Sequence, residues 1–304
     1  MSKNWKDHLL SSGLPLEQSV IGVLQTLGID RPREFRYERV NEQGVLTGFS
    51  IDVFASQMYD HCLVLELLIE CKHRHDGVRW VFIPDDFAEY WGPSFEDAFV
   101  ILDNLCGPTV DRDALNRHEG IYQLCYKGTE ILEKDANPKS IEQCIQQLRY
   151  AVLENSIDTL RTQVDEDYPL DHAFVQVPII VTTAELWRLR PDVTLDKIRA
   201  ADDLPNVADQ MDVIILHDPP DKTFQTFARR RFNERISDSE RDAIETDLKG
   251  KTRHNFYSWV NTFSTSSPSM FVVIHYSRFE SAMKNVFGFF RNASVMVRKK
   301  KPEK

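Results

Sequence analysis

Three residues that could together bind a metal ion and hydrolyse a phosphate ester lie close to one another in the sequence. Asp52 is separated by seventeen residues from Glu70, and Lys72 follows two positions later. Two carboxylates supply the oxygen ligands that Mg²⁺ prefers. A bound divalent cation would lower the pKa of a water molecule and neutralise charge on a phosphate. A lysine beside it would hold or deprotonate the water, or stabilise the developing charge.

Two strand-like runs must position these side chains, because side chains alternate between the two faces of a strand. In residues 48–55 the alternation predicts an apolar face of Phe49, Ile51, Val53 and Ala55, with Ser50 and Asp52 opposite. In residues 63–73 it predicts an apolar face of Leu63, Leu65, Leu67 and Ile69, with Val64, Glu66, Leu68, Glu70 and Lys72 opposite. Pairing of the two strands would therefore bring Asp52 beside Glu70 and Lys72, where a cation would relieve the cost of burying the carboxylates.

The elements around these strands alternate between helix and strand, which predicts an α/β protein with a central mixed sheet flanked by helices. Apolar periodicity predicts helices over 15–27, 94–105, 140–155, 237–263 and 278–290. The helix at Ser140 opens on an S-x-x-Q capping box. Apolar runs predict strands over 33–40, 48–55, 63–73, 80–84, 175–183, 211–217 and 270–276.

The pattern resembles the PD-(D/E)xK, or restriction-endonuclease-like, nucleases, particularly their Mrr-like and RecB-like branches. The segments GFSIDVFA (48–55) and ECK (70–72) carry the resemblance, although Ile51 stands where the family has the proline of its name. The resemblance implies that Asp52 and Glu70 bind Mg²⁺, or Mn²⁺, together with the backbone carbonyl of Cys71. It implies that Lys72 assists the hydrolytic water, and that the substrate is DNA in prokaryotic restriction, anti-phage defence or repair.

Two further residues match the family more loosely. Glu17 lies at the rim of the apolar face of the first helix, where family members often bear an acidic residue. Gln146-x-x-x-Tyr150 resembles the RecB-like QxxxY motif, which supports the site and contacts nucleic acid. Helical phase puts Gln146 and Tyr150 roughly 130–170° from the centre of the apolar face, so Gln147 stays open as an alternative.

The resemblance also gives a domain organisation. Residues 1–185 would form the nuclease core, with an insertion at 85–138 that lies outside the family pattern. Residues 186–304 would form an α/β extension packed on the same domain, although this half contains no motif of known chemistry.

Composition limits the partners and the compartment. A net charge of −10 argues against a protein that coats polyanions nonspecifically, although basic runs at 229–231, 249–253 and 298–304 could form a local nucleic-acid surface. Five scattered cysteines predict reduced thiols, and with no secretory signal or membrane span they predict a cytoplasmic location. We therefore expect nucleic acid as a partner, DNA before RNA, with a protein partner or a second copy of the chain possible and no membrane.

Two alternatives compete with a magnesium-dependent nuclease. The first is a zinc site, suggested by the clustering in sequence of His61, Cys62, Cys71, His73 and His75. Structural zinc usually takes paired ligands from two short turns, and Cys71 sits among core residues, which disfavours that interpretation. The second is a nuclease-like scaffold that binds nucleic acid or serves as a protein-interaction subunit of a defence complex without cleaving.

Overall fold

A computed structural model gives the arrangement of most of the chain. It describes residues 5–40, 45–60, 62–85, 98–103, 109–110, 123–132, 136–137, 139–164, 172–248, 255–292 and 295–296. Its helices are α1 (Trp5–Ser11), α2 (Leu14–Thr26), α3 (Lys139–Gln163), α4 (Leu195–Ala200), α5 (Lys222–Arg235), α6 (Asp238–Leu248), α7 (Phe256–Ser266) and α8 (Phe279–Asn292). Its strands are β1 (Arg33–Val40), β2 (Leu46–Tyr59), β3 (Leu63–Lys72), β4 (Arg79–Pro84), β5 (Val100–Leu102), β6 (Thr109–Val110), β7 (Gln123–Ile131), β8 (Ala136–Asn137), β9 (Ala173–Thr182), β10 (Glu185–Leu189), β11 (Ala208–Met211), β12 (Val213–His217), β13 (Met270–His275) and β14 (Val295–Met296).

Twelve of these strands join in one mixed sheet, which confirms the predicted α/β class. The order across the sheet is β1-β2-β3-β9-β13-β12-β7-β4-β10-β11, with β5 beside β9 and β8 beside β7. β1, β2 and β3 run antiparallel to their neighbours in turn, and β3, β9 and β13 run parallel. Strands that precede the predicted boundary at residue 185 and strands that follow it are thus interleaved in the same sheet.

Helices cover both faces of the sheet. On one face, called the α3 side, α3 packs with α5, α6 and α7 over apolar residues such as Leu68 and Ile180. On the other, called the α2 side, α2 and α8 pack over the alternate residues of the same strands, including Leu67 and Ile69. The central strands are buried on both faces, which is why β3 and β9 read as nearly continuous apolar runs.

The predicted alternation within β3 is confirmed, but several other details of the prediction are wrong. Residues 100–102, expected within a helix over 94–105, form the strand β5 beside β9, while residues 94–97 and 104–105 lie outside the described part of the chain. The helix expected over 237–263 is two helices, α6 and α7. The capping box does not form, because Ser140 lies inside the first turn of α3 and its hydroxyl accepts a hydrogen bond from Arg74.

Helix α3 is buried on almost all sides. The position of its apolar face therefore does not predict which of its side chains contact the rest of the protein. Every residue from Leu148 to Ile157 is buried. Tyr150, predicted to lie well off the apolar face, is buried against Phe224 and Phe227 of α5. The prediction failed because α5, which comes 59 positions after α3 in the chain, covers the flank that periodicity assigned to solvent.

No helix in the described ranges is long and apolar enough to cross a lipid bilayer.

Candidate active site at a fork between two strands

A β-bulge in β2 sets the position of Asp52. Arg33 pairs with Phe54 and Phe35 pairs with Ile51, so Glu34 alone stands opposite two residues, Asp52 and Val53. The extra residue shifts the alternation of β2 by one place, as bulges do. Ile51 consequently packs on the α3 side and Val53 on the α2 side. The predicted single apolar face running from Phe49 to Ala55 is therefore wrong.

The pairing of β2 with β3 ends at the same place. The last pair of the register is Val53 with Ile69. One residue further on, Oδ2 of Asp52 accepts a hydrogen bond of 2.7 Å from the backbone N–H of Cys71. A side chain thus takes the place of the backbone ladder, and the two strands separate beyond it. We call the residues at this separation, Asp52 with Glu70, Cys71 and Lys72, the β2–β3 fork.

Glu70 and Lys72 form a close pair inside the fork. Nζ of Lys72 lies 3.5 Å from Oε1 of Glu70, whose side chain is almost completely buried. The other carboxylate oxygen, Oε2, is buried and has no hydrogen-bond partner among the described residues. Burial and the negative charge of Asp52 raise the pKa of Glu70 to about 8, although Lys72 partly opposes the shift. The pKa of Asp52 is also raised by burial, against the hydrogen bond from Cys71 and the charge of Lys72.

Two more carboxylates act on Asp52. Burial raises the pKa of Glu17, in the first turn of α2, and the charges of Asp52 and Glu34 raise it further. Glu17 is therefore within electrostatic reach of the fork, and its assignment to the site stays a prediction. Glu34 also raises the pKa of Asp52, and sequence reasoning missed it. Only the register of β1 against the bulge in β2 could have identified it.

The residue of α3 that faces the fork is Cys144, another residue that the sequence did not single out. Burial raises the pKa of its thiol to about 12, and the charges of Lys72 and Glu70 also act on it. Gln146 lies two residues further along, about 200° around the helix axis, and is partly exposed. Within the described residues no hydrogen bond joins Gln146 to the fork. Its assignment to the site stays a prediction.

The fork fits a small divalent cation better than it fits zinc. A buried carboxylate oxygen without a partner needs compensation, and a cation would supply it. Asp52, Glu70 and the carbonyl of Cys71 offer only oxygen, which suits Mg²⁺ and Mn²⁺. No group of three or more His, Cys, Asp or Glu side chains in the described part of the chain is arranged to hold a metal ion. Mg²⁺ does not require one, because it commonly binds through one or two carboxylates and keeps several waters.

Of the five residues suggested as zinc ligands, His61 lies outside the described residues. Cys71 is buried, and the rings of His73 and His75 meet edge to face with their centroids 5.7 Å apart.

Comparisons of the chain with models of known protein families, with curated proteins and with solved structures found no match in any of the three.

Proposed function

We propose that the chain is a Mg²⁺-dependent nuclease with a restriction-endonuclease-like core that hydrolyses phosphodiester bonds of DNA. One observation carries the proposal: the bulge in β2 brings Asp52 to the backbone of Cys71, between Glu70 and Lys72, and one buried oxygen of Glu70 has no hydrogen-bond partner in the part of the chain that the structure describes. A setting in prokaryotic restriction, anti-phage defence or repair belongs to the same proposal.

Each residue of the fork has a distinct task in this proposal. Asp52, Glu70 and the carbonyl of Cys71 would hold the cation, which when bound neutralises charge on the scissile phosphate and makes water more acidic. Lys72 is partly exposed to solvent, and its Nζ can donate a hydrogen bond to the attacking water or to a phosphate oxygen. Glu17 adds negative charge on the α2 side and so favours cation binding.

One observation favours a second candidate, a scaffold that binds nucleic acid or protein without cleaving. With the pKa of Glu70 at about 8, its carboxyl is mostly protonated at neutral pH while no cation is bound. A fork that never binds a cation would be stable in this state. The two candidates therefore differ in whether the fork binds metal.

The cleavage test uses supercoiled plasmid, linear duplex, single-stranded DNA and RNA, each with Mg²⁺, with Mn²⁺ and with EDTA. We expect metal-dependent cleavage that falls by at least about a hundredfold in Asp52→Asn and in Lys72→Ala, the scale of losing one group that stabilises the transition state. Asp60→Asn, in the exposed turn after β2, and Lys284→Ala, on the surface of α8, are matched controls that should retain full activity. Equal cleavage by the wild type and both fork variants would remove the enzyme assignment.

Calorimetric titration with Mn²⁺ separates the two candidates. A nuclease fork takes up the ion and loses it in Glu70→Gln, which keeps the size of the side chain and removes its charge. A scaffold shows no heat of Mn²⁺ binding at the fork, while its affinity for nucleic acid or protein is indifferent to Glu70→Gln.

A further inference from the structure

A cleft of about 620 Å³ opens beside the fork on the α3 side. One wall is the outer part of the β1–β2 ribbon, and the other is formed by the side chains that α3 and α5 present to it. We call it the β1 cleft. Ser50 lines it and lies two residues before Asp52 on the same strand, and Glu34 lines it and acts electrostatically on Asp52. The lining of the cleft thus ends two residues before Asp52 on β2, although no residue of the fork itself lines it.

Aromatic rings line the ribbon side of the cleft. Tyr37 and Phe49 stack with ring centroids 5.9 Å apart, and Phe35 lies 6.2 Å from Tyr37. Phe35 and Phe49 line the cleft and are only partly buried, but the guanidinium of Arg39 lies over the ring of Phe49, 4.2 Å from its centroid. Phe35 is therefore the ring of this pair that is left for a base. Aromatic rings of this kind stack bases of any sequence in single-strand binding proteins.

The edge of β1 also faces the cleft. Among the described strands, β1 is the last one of the sheet. The carbonyl of Glu38 accepts a hydrogen bond from Arg231 of α5 and therefore points away from β2. The peptide groups of a strand alternate in direction with a period of two. The backbone N–H and C=O of Arg36 therefore also point away from β2, towards the cleft. There they can form hydrogen bonds with the polar edge of an unpaired base.

The helix side of the cleft holds a guanidinium whose partner is easily exchanged. The buried carboxylate of Glu154 lies between Arg231, at 2.6 Å, and Arg235, at 3.3 Å. Glu154 thus neutralises only one of the two arginines. Arg235 completes its pairing with Asp158 at 2.8 Å, and the side chain of Asp158 is 48% exposed. Because the ion pair of Arg235 with Asp158 is exposed to solvent, it contributes little stability. A phosphate can therefore replace Asp158 at Arg235.

We propose that the β1 cleft binds one strand of nucleic acid and leads it to the fork, so that the substrate is single-stranded where it is cut. The inference rests on the proposed function. A base would stack on Phe35, and a phosphate would bind Arg235 in place of Asp158. The volume lies within the range of small-ligand pockets, about 300–1,000 Å³, which is enough for a nucleotide or two and too small for the width of a duplex.

The test measures binding in EDTA, where no cleavage occurs, by fluorescence anisotropy of a labelled twelve-nucleotide DNA strand. The same strand as RNA and the corresponding DNA duplex are run in parallel. We expect Arg235→Gln to weaken binding of the single strand by about tenfold, the effect of losing one charge-assisted hydrogen bond. Its dependence of log affinity on log salt should become shallower by about 0.7, which corresponds to one phosphate contact. Glu154 keeps Arg231 as its partner in this variant, so the fold is retained.

The reverse substitution gives an effect of opposite sign. Asp158→Asn frees Arg235 and should tighten binding by severalfold, which loss of a merely structural ion pair would not do. Arg190 and Asp209 provide the control pair, since they are similarly exposed and lie 3.0 Å apart. Arg190 directly follows β10 and Asp209 lies in β11, at the opposite end of the sheet. Arg190→Gln and Asp209→Asn should leave the affinity unchanged.

The outcomes separate this inference from the proposed function. If Arg235→Gln weakens binding and Asp158→Asn tightens it, but the protein cleaves no substrate with Mn²⁺, strand binding in the β1 cleft is supported and the nuclease proposal is refuted. If the protein cleaves with metal but neither Arg235→Gln nor Asp158→Asn changes binding, the proposal that the β1 cleft binds the strand is refuted and the nuclease proposal is retained. Duplex binding as tight as that of the single strand, or no binding of any strand, overturns the cleft as well.

Discussion

The buried carboxyl of Glu66 makes the stability of the protein depend on pH, and Glu66→Gln should remove that dependence. Glu66 lies on the same strand as Glu70, four residues earlier, and its side chain points to the α3 side of the sheet. Its Oε2 accepts hydrogen bonds from Asn155 at 2.6 Å, from Gln176 at 3.0 Å and from Thr159 at 3.4 Å. Complete burial nevertheless raises the pKa of Glu66 from 4.5 to about 7, because these bonds only partly compensate for the loss of water.

The size of the effect follows from that pKa. Below pH 4.5 the carboxyl is protonated in the folded and the unfolded protein, and well above pH 7 it is ionised in both. Between these limits the folded protein keeps the proton while the unfolded chain loses it, so the free energy of unfolding falls as pH rises. Each pH unit in this window is worth about 1.4 kcal/mol, so the loss amounts to about 3 kcal/mol.

Urea unfolding of the wild type and of Glu66→Gln at pH 5 and pH 8, in EDTA, measures this quantity. Glutamine keeps the shape of the side chain and an acceptor oxygen but cannot ionise. We expect the stability of the variant relative to the wild type to increase by about 2.5 kcal/mol between the two pH values, because at pH 5 the unfolded chain has already lost part of the proton. Glu70 is present in both proteins, so its own titration cancels in the difference. A difference that is the same at pH 5 and pH 8 would refute the reasoning.

Two further predictions concern the fork and the sheet. Mn²⁺ at ten times its dissociation constant should raise the free energy of unfolding by about 1.4 kcal/mol, and Glu70→Gln should abolish the effect in a thermal-shift assay, whereas retention of the shift would exclude Glu70 as a ligand. Gly128→Ala should lower the free energy of unfolding by about 1–3 kcal/mol, because the new Cβ would lie 2.6 Å from the ring of Phe82. Gly22→Ala, in α2 with no atom within 4 Å of the new Cβ, should instead stabilise by about 1 kcal/mol in the same urea titration, and equal effects of the two would contradict the packing argument.

Much of the fold could be predicted from local patterns. Strong apolar runs identified β3, β9, β12 and β13, because buried central strands leave few polar positions. The helical period identified α2, whose Leu16, Val20 and Leu24 are buried as expected. These features depend on neighbours within a few residues, which is the range that periodicity reports.

Features that depend on distant pairing could not be predicted. The bulge at Asp52 exists because one residue of β1 stands opposite two residues of β2. No pattern within residues 48–55 indicates it. The burial of Tyr150 depends on α5, far along the chain. Glu34 and Cys144 reach the fork only through the register of β1 and the placement of α3. The types of the catalytic candidates were thus readable from sequence, while the geometry that brings them together was not.

The bulge gives Asp52 a structural task as well as a chemical one, and two substitutions separate them. Asparagine keeps an oxygen that accepts the Cys71 N–H, so Asp52→Asn should retain wild-type stability in EDTA while losing affinity for Mn²⁺ and cleavage. Asp52→Ala leaves that N–H without its partner and should lower the free energy of unfolding by about 1–2 kcal/mol in addition. Urea titration and calorimetry on the same samples give both quantities. If Asp52→Asn is as unstable as Asp52→Ala, the carboxylate charge rather than the hydrogen bond maintains the fork, and the separation of the two tasks is wrong.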